Sequence, residues 1–274
     1  MTEPFAVPPS AEFLVTKEYR RFIEFCDACR RERYLGVCHG PPGVGKTLSA
    51  RHYARWDGLE PLLLDHAHAP DAPPLAELLA ARSVMYTPVV ATSPGRVAHE
   101  VDSLRRMLNA YAVYLLLDDA APERAGYVEH YTDLVLIDEA DRLNAPALEA
   151  VRDVHDRHGV AVVFIGMPGL EKRLARYPQL YSRVGFVHAY RPLSTEELRF
   201  LLERKWRQLG LTLDPNDYTD AEAMAAIARH TGGNFRLVQR LWSQIARILE
   251  INGMQTVTKE VVDTAREALV IGVT

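Results

Sequence analysis

The chain has 274 residues, 48% hydrophobic and 25% charged, with a formal net charge of −4. This describes an ordinary soluble globule, long enough for one broad α/β core plus a smaller domain. No run approaches the roughly 18 apolar residues of a membrane helix, and Met1, Thr2, Glu3 and Pro4 lack the basic-then-apolar order of a secretory leader. The chain therefore reads as cytoplasmic, with no membrane partner. A mildly acidic whole exerts no general pull on nucleic acid, so contact with DNA has to come from a local basic patch.

In chain order, residues 1–16 carry Pro4, Pro8 and Pro9 and read as an extended arm. From Lys17 to Arg33, Tyr19, Phe22, Ile23 and Cys26 recur at helical spacing. Cys26 and Cys29 form a lone C-x-x-C there, without the second pair or spaced histidines that a zinc site needs. Tyr34 to Cys38 is an apolar strand-like run, and a helix begins at Lys46. Residues 58–82 read as an insertion, with Leu62 to Leu64 as a short strand, Asp65, His66 and His68 in solvated loop, and Pro70 to Pro74 as a break. Val84 to Thr92 is β-branched and aromatic, predicting a strand, and Ser93, Pro94 and Gly95 introduce a helix through Val97, Val101, Leu104 and Leu108. Leu134 to Ile137, Val160 to Ile165 and Val184 to Tyr190 predict further strands separated by helical stretches, the alternation of a parallel sheet covered on both faces. After Arg191 and Pro192 only helices are predicted. Ser194 and Glu197 form a capping box, then Ala221 to His230, Phe235 to Ile251 and Lys259 to Val270 follow. The expected organisation is an arm at 1–16, an α/β core at 17–191 and a helical domain at 192–274.

Between the first strand and its helix stand Gly40, Pro41, Pro42, Gly43, Val44, Gly45, Lys46 and Thr47, spaced G-x-x-x-x-G-K-T. A strand, a glycine turn with inward N–H groups and a helix N-terminus make a phosphate cradle. These residues, with Leu48, predict a bound nucleoside triphosphate. Lys46 reaches the terminal phosphates and the Thr47 hydroxyl ligates Mg²⁺. Hydrolysis also needs a metal ligand and a group that acts on water, both at the carboxyl ends of parallel strands. Asp138 fits the first role through the metal's water shell, and Glu139 the second. The interval between the two motifs fits their lying on adjacent strands.

The glycine loop, the strand ending in Asp138 and Glu139, an arginine-bearing segment after the next strand, and Gly232, Gly233, Asn234, Phe235 and Arg236 together resemble an AAA+ ATPase. Tyr86 to Pro88, Ser93 to Arg96, Ile137 to Arg142 and Phe164 to Leu170 are similar in particular to DNA-transposition regulators of the TnsC, TniB and MuB type, over roughly residues 15–270. The resemblance implies a parallel-sheet AAA+ core with a C-terminal helical lid, and ATP with Mg²⁺ as ligands. It makes Arg183 an arginine finger that reaches a neighbouring subunit's γ-phosphate, with Arg173 and Arg176 as rivals, and Arg236 a sensor from the lid. A guanidinium suits both roles because it offers fixed bidentate donors to developing phosphoryl charge.

The same resemblance implies a helical or ring-shaped homo-oligomer on nonspecific duplex DNA, with a transposase and a target-selection protein as partners. Thr92, Arg96, Arg105 and Arg106 are the matching DNA contacts, or else an ordinary charged helix surface. One departure stands out. Gly166 and Met167 occupy the place where such proteins carry a polar water-orienting residue, and Met donates no hydrogen bond, so slow turnover is expected. A replication-initiator or helicase-loader ATPase shares the same core and lid. A signalling switch, or a secretion-associated NTPase of the ExeA type, is the reading without DNA.

Overall fold

The computed structural model describes residues 13–65, 74–116, 130–214 and 216–269. Residues 1–12 of the arm, and His66, His68 and Pro70 in the insertion, lie outside them. Helix α1 (Lys17–Glu32) starts where the Thr16 side chain accepts from the Tyr19 amide and ends at Arg33 in a left-handed cap. It buries Tyr19, Phe22, Phe25, Cys26 and Cys29. Burial pushes the Cys29 thiol up to about 12, so the C-x-x-C pair acts as packing.

Five strands, β1 (Leu35–His39), β2 (Ser83–Tyr86), β3 (Leu134–Ile137), β4 (Ala161–Gly166) and β5 (Val184–Ala189), make one parallel sheet in the order β2-β3-β4-β1-β5. Their apolar runs are short because β2, β3 and β4 are buried throughout, as strands covered on both faces must be. Helices α2 (Lys46–Tyr53), α3 (Trp56–Asp65), α4 (Leu75–Leu79), α5 (Pro94–Leu116), α6 (Ala145–His158), α7 (Leu170–Leu174) and α8 (Pro178–Tyr181) connect and cover them.

Three expectations need correction. Leu62 to Leu64 is not a strand; it lies inside α3, where Trp56, Leu59, Leu62 and Leu63 are buried at helical spacing. Strand β2 ends at Tyr86 rather than Thr92. Pro88 has no N–H for the ladder and constrains Thr87 before it. The strands that carry the two motifs are not adjacent, because β4 pairs with β1 on one side and β3 on the other. The chain crosses from β1 to the far edge at β2 and fills inward, so β4 arrives last in the gap.

The C-terminal region packs separately. Helices α9 (Thr195–Gln208), α10 (Tyr218–Thr231), α11 (Phe235–Asn252) and α12 (Lys259–Glu267) bury their own cluster, including Leu202, Trp206, Ile227, Leu241, Trp242 and Ile245. Helix α9 opens with the expected capping box between Ser194 and Glu197. At its centre the Trp206 and Trp242 rings lie 4.6 Å apart between centroids. Trp206 is 1% exposed and its Nε1 donates to Asp220 at 3.3 Å. Trp206→Ala removes both the packing and that donor, so it should lower the stability of this region by about 3–5 kcal/mol. Urea denaturation followed by the remaining tryptophan fluorescence checks this.

Candidate functional site

The phosphate cradle forms where β1 meets α2. Gly45 caps α2 at φ +113°, and Gly43 has φ +80°, angles that glycine adopts without a Cβ penalty. At Gly43 a Cβ would also meet the Asn234 Oδ1 at 2.6 Å, so the turn is shaped by the helical region as well as by its own backbone. Asn234 Nδ2 donates to the Pro42 carbonyl at 2.7 Å, and the Arg236 amide donates to the Gly43 carbonyl at 2.9 Å. The N-terminus of α11 is thereby seated on the loop.

Beside the loop opens a cleft of about 590 Å³. Pro42, Gly43, Gly45, Lys46, Thr47 and Leu48 line it from the cradle, Asp138 and Glu139 from the end of β3, and Arg236 from α11. The Thr47 Oγ1 donates to Asp138 Oδ2 at 2.8 Å. That contact spans the carboxyl end of β4, which explains how two motifs on non-neighbouring strands still meet. Lys46 Nζ donates to the Gly40 and Pro41 carbonyls at 2.5 and 2.8 Å. An ammonium held by its own loop carbonyls is in position to exchange them for phosphate oxygens.

Burial works against charge on both groups. It raises the Asp138 carboxyl, offset by the bond from Thr47, and it lowers the Lys46 ammonium. A divalent cation beside Asp138 and an anion beside Lys46 would each favour the charged form. Hydroxyl and carboxylate oxygens in contact are hard donors of the kind Mg²⁺ takes, so the residues present fit that ion.

Glu139 sits at φ +49°, left-handed, at the mouth of the cleft. Its carboxylate pairs with Arg142, whose guanidinium also donates to the Pro88 carbonyl at 2.9 Å. Arg183 lies elsewhere. Its carbonyl accepts from the Leu35 amide at 2.9 Å, placing it at the amino end of the sheet, about 16 Å of strand below the loop. There its Nε donates to Asp156 at 2.6 Å. Arg173 is held to the carbonyls of Asp141 and Leu143, and Arg176 is exposed.

The DNA candidates do not form one patch. Thr92, half-buried, and Arg96, exposed, follow the carboxyl end of β2, and Arg96 pairs with Glu100 at 2.7 Å. Arg105 is 2% exposed and paired with Asp102 at 2.8 Å, so it is corrected to a packing residue. Arg106 is exposed but binds the same carboxylate. Sequence reasoning missed Asp141, Arg142 and Gln239 in the cleft. The spacing of Asp138 and Asp141 on one tight turn was the available signal for the first.

A strand-loop-helix phosphate cradle, faced by an acidic strand end and closed by a helical region, defines a P-loop nucleotide-binding α/β protein. The AAA domain family matches residues 29–174, and the chain belongs to that family. A Staphylococcus aureus protein named "Potential ATP-binding protein" is 42% identical over 266 residues, which is 95% of this chain and 97% of that protein. Among solved structures, the chain is similar to the Thermotoga maritima RuvB Holliday junction branch migration motor, with TM-score 0.56 and 19% identity, covering 94% of this chain and 70% of that one. It is also similar to the Aeropyrum pernix ORC2 protein, with TM-score 0.53 and 15% identity, covering 99% and 72%. At these identities the two structures bear on the fold alone. Among the described residues no helix is long and apolar enough to cross a membrane.

Proposed function

We propose that this chain is an ATPase that assembles on duplex DNA in its ATP-bound form, recruits or activates a transposase there, and disassembles on hydrolysis. The observation that carries the ATPase part is the 2.8 Å contact between Thr47 and Asp138, made inside a cleft that Lys46, Glu139 and Arg236 also line. In this reading Lys46 and the cradle amides bind the triphosphate, Glu139 takes the proton of the attacking water, and Arg236 contacts the same nucleotide. Mg²⁺, held by Thr47 and Asp138, would neutralise phosphate charge. Arg183 is too far from its own cleft to serve it, which supports service to a neighbouring chain. The likeness to a branch migration motor in fold, and the motif resemblance to transposition regulators, support the DNA part. Its contacts would be to phosphates, nonspecific and salt-dependent.

The ion pairs of Arg96 and Arg106 favour a second reading, a nucleotide switch that holds a protein partner rather than DNA. Electron microscopy with a nonhydrolysable ATP analogue, with and without duplex DNA at low and high salt, separates the two. Assemblies that need DNA and dissolve with salt are expected. Identical particles in all four conditions would refute the DNA role.

A further inference from the structure

We infer that Asp141 is a water-positioning residue of the hydrolytic site, standing in for a side chain that β4 does not supply. Strand β4 ends directly beneath the Thr47–Asp138 contact, and its last residue there is Gly166. A Cβ on Gly166 would lie 2.3 Å from Asp141 Oδ2. The carboxylate thus occupies the space that a β4 side chain would take. It is fixed in place: Oδ2 accepts from the Met167 amide at 2.7 Å, and Arg173 holds the Asp141 carbonyl at 2.9 Å. Both Asp141 and Glu139 line the cleft, yet Glu139 is turned into an ion pair with Arg142. Asp141 is exposed where it lines the cleft.

An ionised carboxylate only accepts hydrogen bonds. It can therefore orient water but cannot donate to the γ-phosphate. This inference rests on the ATPase reading above. The water oxygen bonds to the γ-phosphorus, the bond from that phosphorus to the bridging oxygen breaks with the oxygen and its electron pair leaving on ADP, one water proton passes to Glu139 and the other hydrogen stays on the phosphate. Asp141 accepts a hydrogen bond from the second O–H of that water, without taking its proton, and sets its line of approach.

The test compares wild type, Asp141→Ala, Asp141→Asn, Gly166→Ala and the double variant Asp141→Ala/Gly166→Asn. The readouts are steady-state ATP turnover with magnesium, dissociation constants for a fluorescent ATP analogue, and melting temperatures. Asp141→Ala is expected to lower kcat about 10- to 100-fold through misplacement of the water, with nucleotide affinity changed less than about threefold. Asp141→Asn, which keeps the oxygen for Met167, should fall between it and wild type. The double variant returns a polar group to the end of β4 and should regain at least about a tenth of the lost rate. If Asp141→Ala does not fold, Gly166→Ala, which leaves Asp141 in the chain but crowds its carboxylate, should show the same fall in kcat alone.

Wild-type kcat in Asp141→Ala or in Gly166→Ala overturns the inference, as does a loss confined to affinity or a double variant no better than the single one. Wild type that binds the analogue but does not hydrolyse ATP overturns the ATPase reading and this inference together. Hydrolysis that depends on Glu139 but not on Asp141 removes this inference only.

Discussion

Glu139→Gln should leave nucleotide binding within about threefold of wild type and lower ATP turnover about 10²- to 10⁴-fold, the range typical of a lost general base. The amide keeps the size and planarity of the carboxylate but cannot take a proton from water. The Glu139 carboxylate pairs with Arg142, so the substitution should leave the Thr47–Asp138 contact and the Lys46 bonds in place. ATP-dependent assemblies on duplex DNA should correspondingly persist for longer. Equal turnover in the variant and wild type would falsify the role given to Glu139. A loss of binding in parallel with turnover would assign Glu139 to the cradle instead.

Arg183→Ala should reduce turnover of the assembled protein by about 10³-fold or more, the scale on which arginine fingers act. Isolated protomers should bind nucleotide as before. The reason is positional: Arg183 lies at the amino end of β5, hydrogen-bonded to Asp156, while the cleft is at the carboxyl end of the sheet. No movement of one side chain bridges that separation. The decisive measurement is a mixture. Glu139→Gln protomers keep the guanidinium and Arg183→Ala protomers keep the carboxylate, so mixed assemblies contain some complete sites. Turnover above the sum of the two separate variants is expected. Strict additivity would leave Arg183 as a surface ion pair, and Arg176, exposed on the same connection, would be the next substitution to make.

Several features were legible from residues alone because they depend on short-range stereochemistry. The cradle required glycine at positions of positive φ, and Gly43 and Gly45 have them. The capping box at Ser194 and Glu197 needs only one helical turn. The stripe of Leu237, Val238, Leu241, Trp242, Ile245 and Leu249 followed from a single helix period, and it is buried except at Leu237, which is half-buried. Leu62 to Leu64 failed for a related reason. Three consecutive apolar residues fit either period, and Pro61 just before them lies inside α3. Only the wider spacing from Trp56 to Leu63 tells helix from strand.

Arg105 marks the boundary of such reasoning. Its charge suggested a surface, yet it lies in the packed side of α5 beside Asp102, with Asn109 bonded to Thr132 one turn further on. Nothing within its own helix turn announces this, because burial is set by what packs against the helix.

The sequence by itself determined that a phosphate cradle, an acidic strand end and a separate helical region exist, since each is written in residues that are neighbours along the chain. Only the tertiary structure decided that β4 enters between the two motif strands, that α11 sits on the loop through Asn234 and Arg236, that Asp141 fills the space above Gly166, and that Arg183 faces away from its own cleft. Strand order and side-chain neighbourhood come from pairings between segments remote in sequence, selected by burial of the whole core rather than by any local preference.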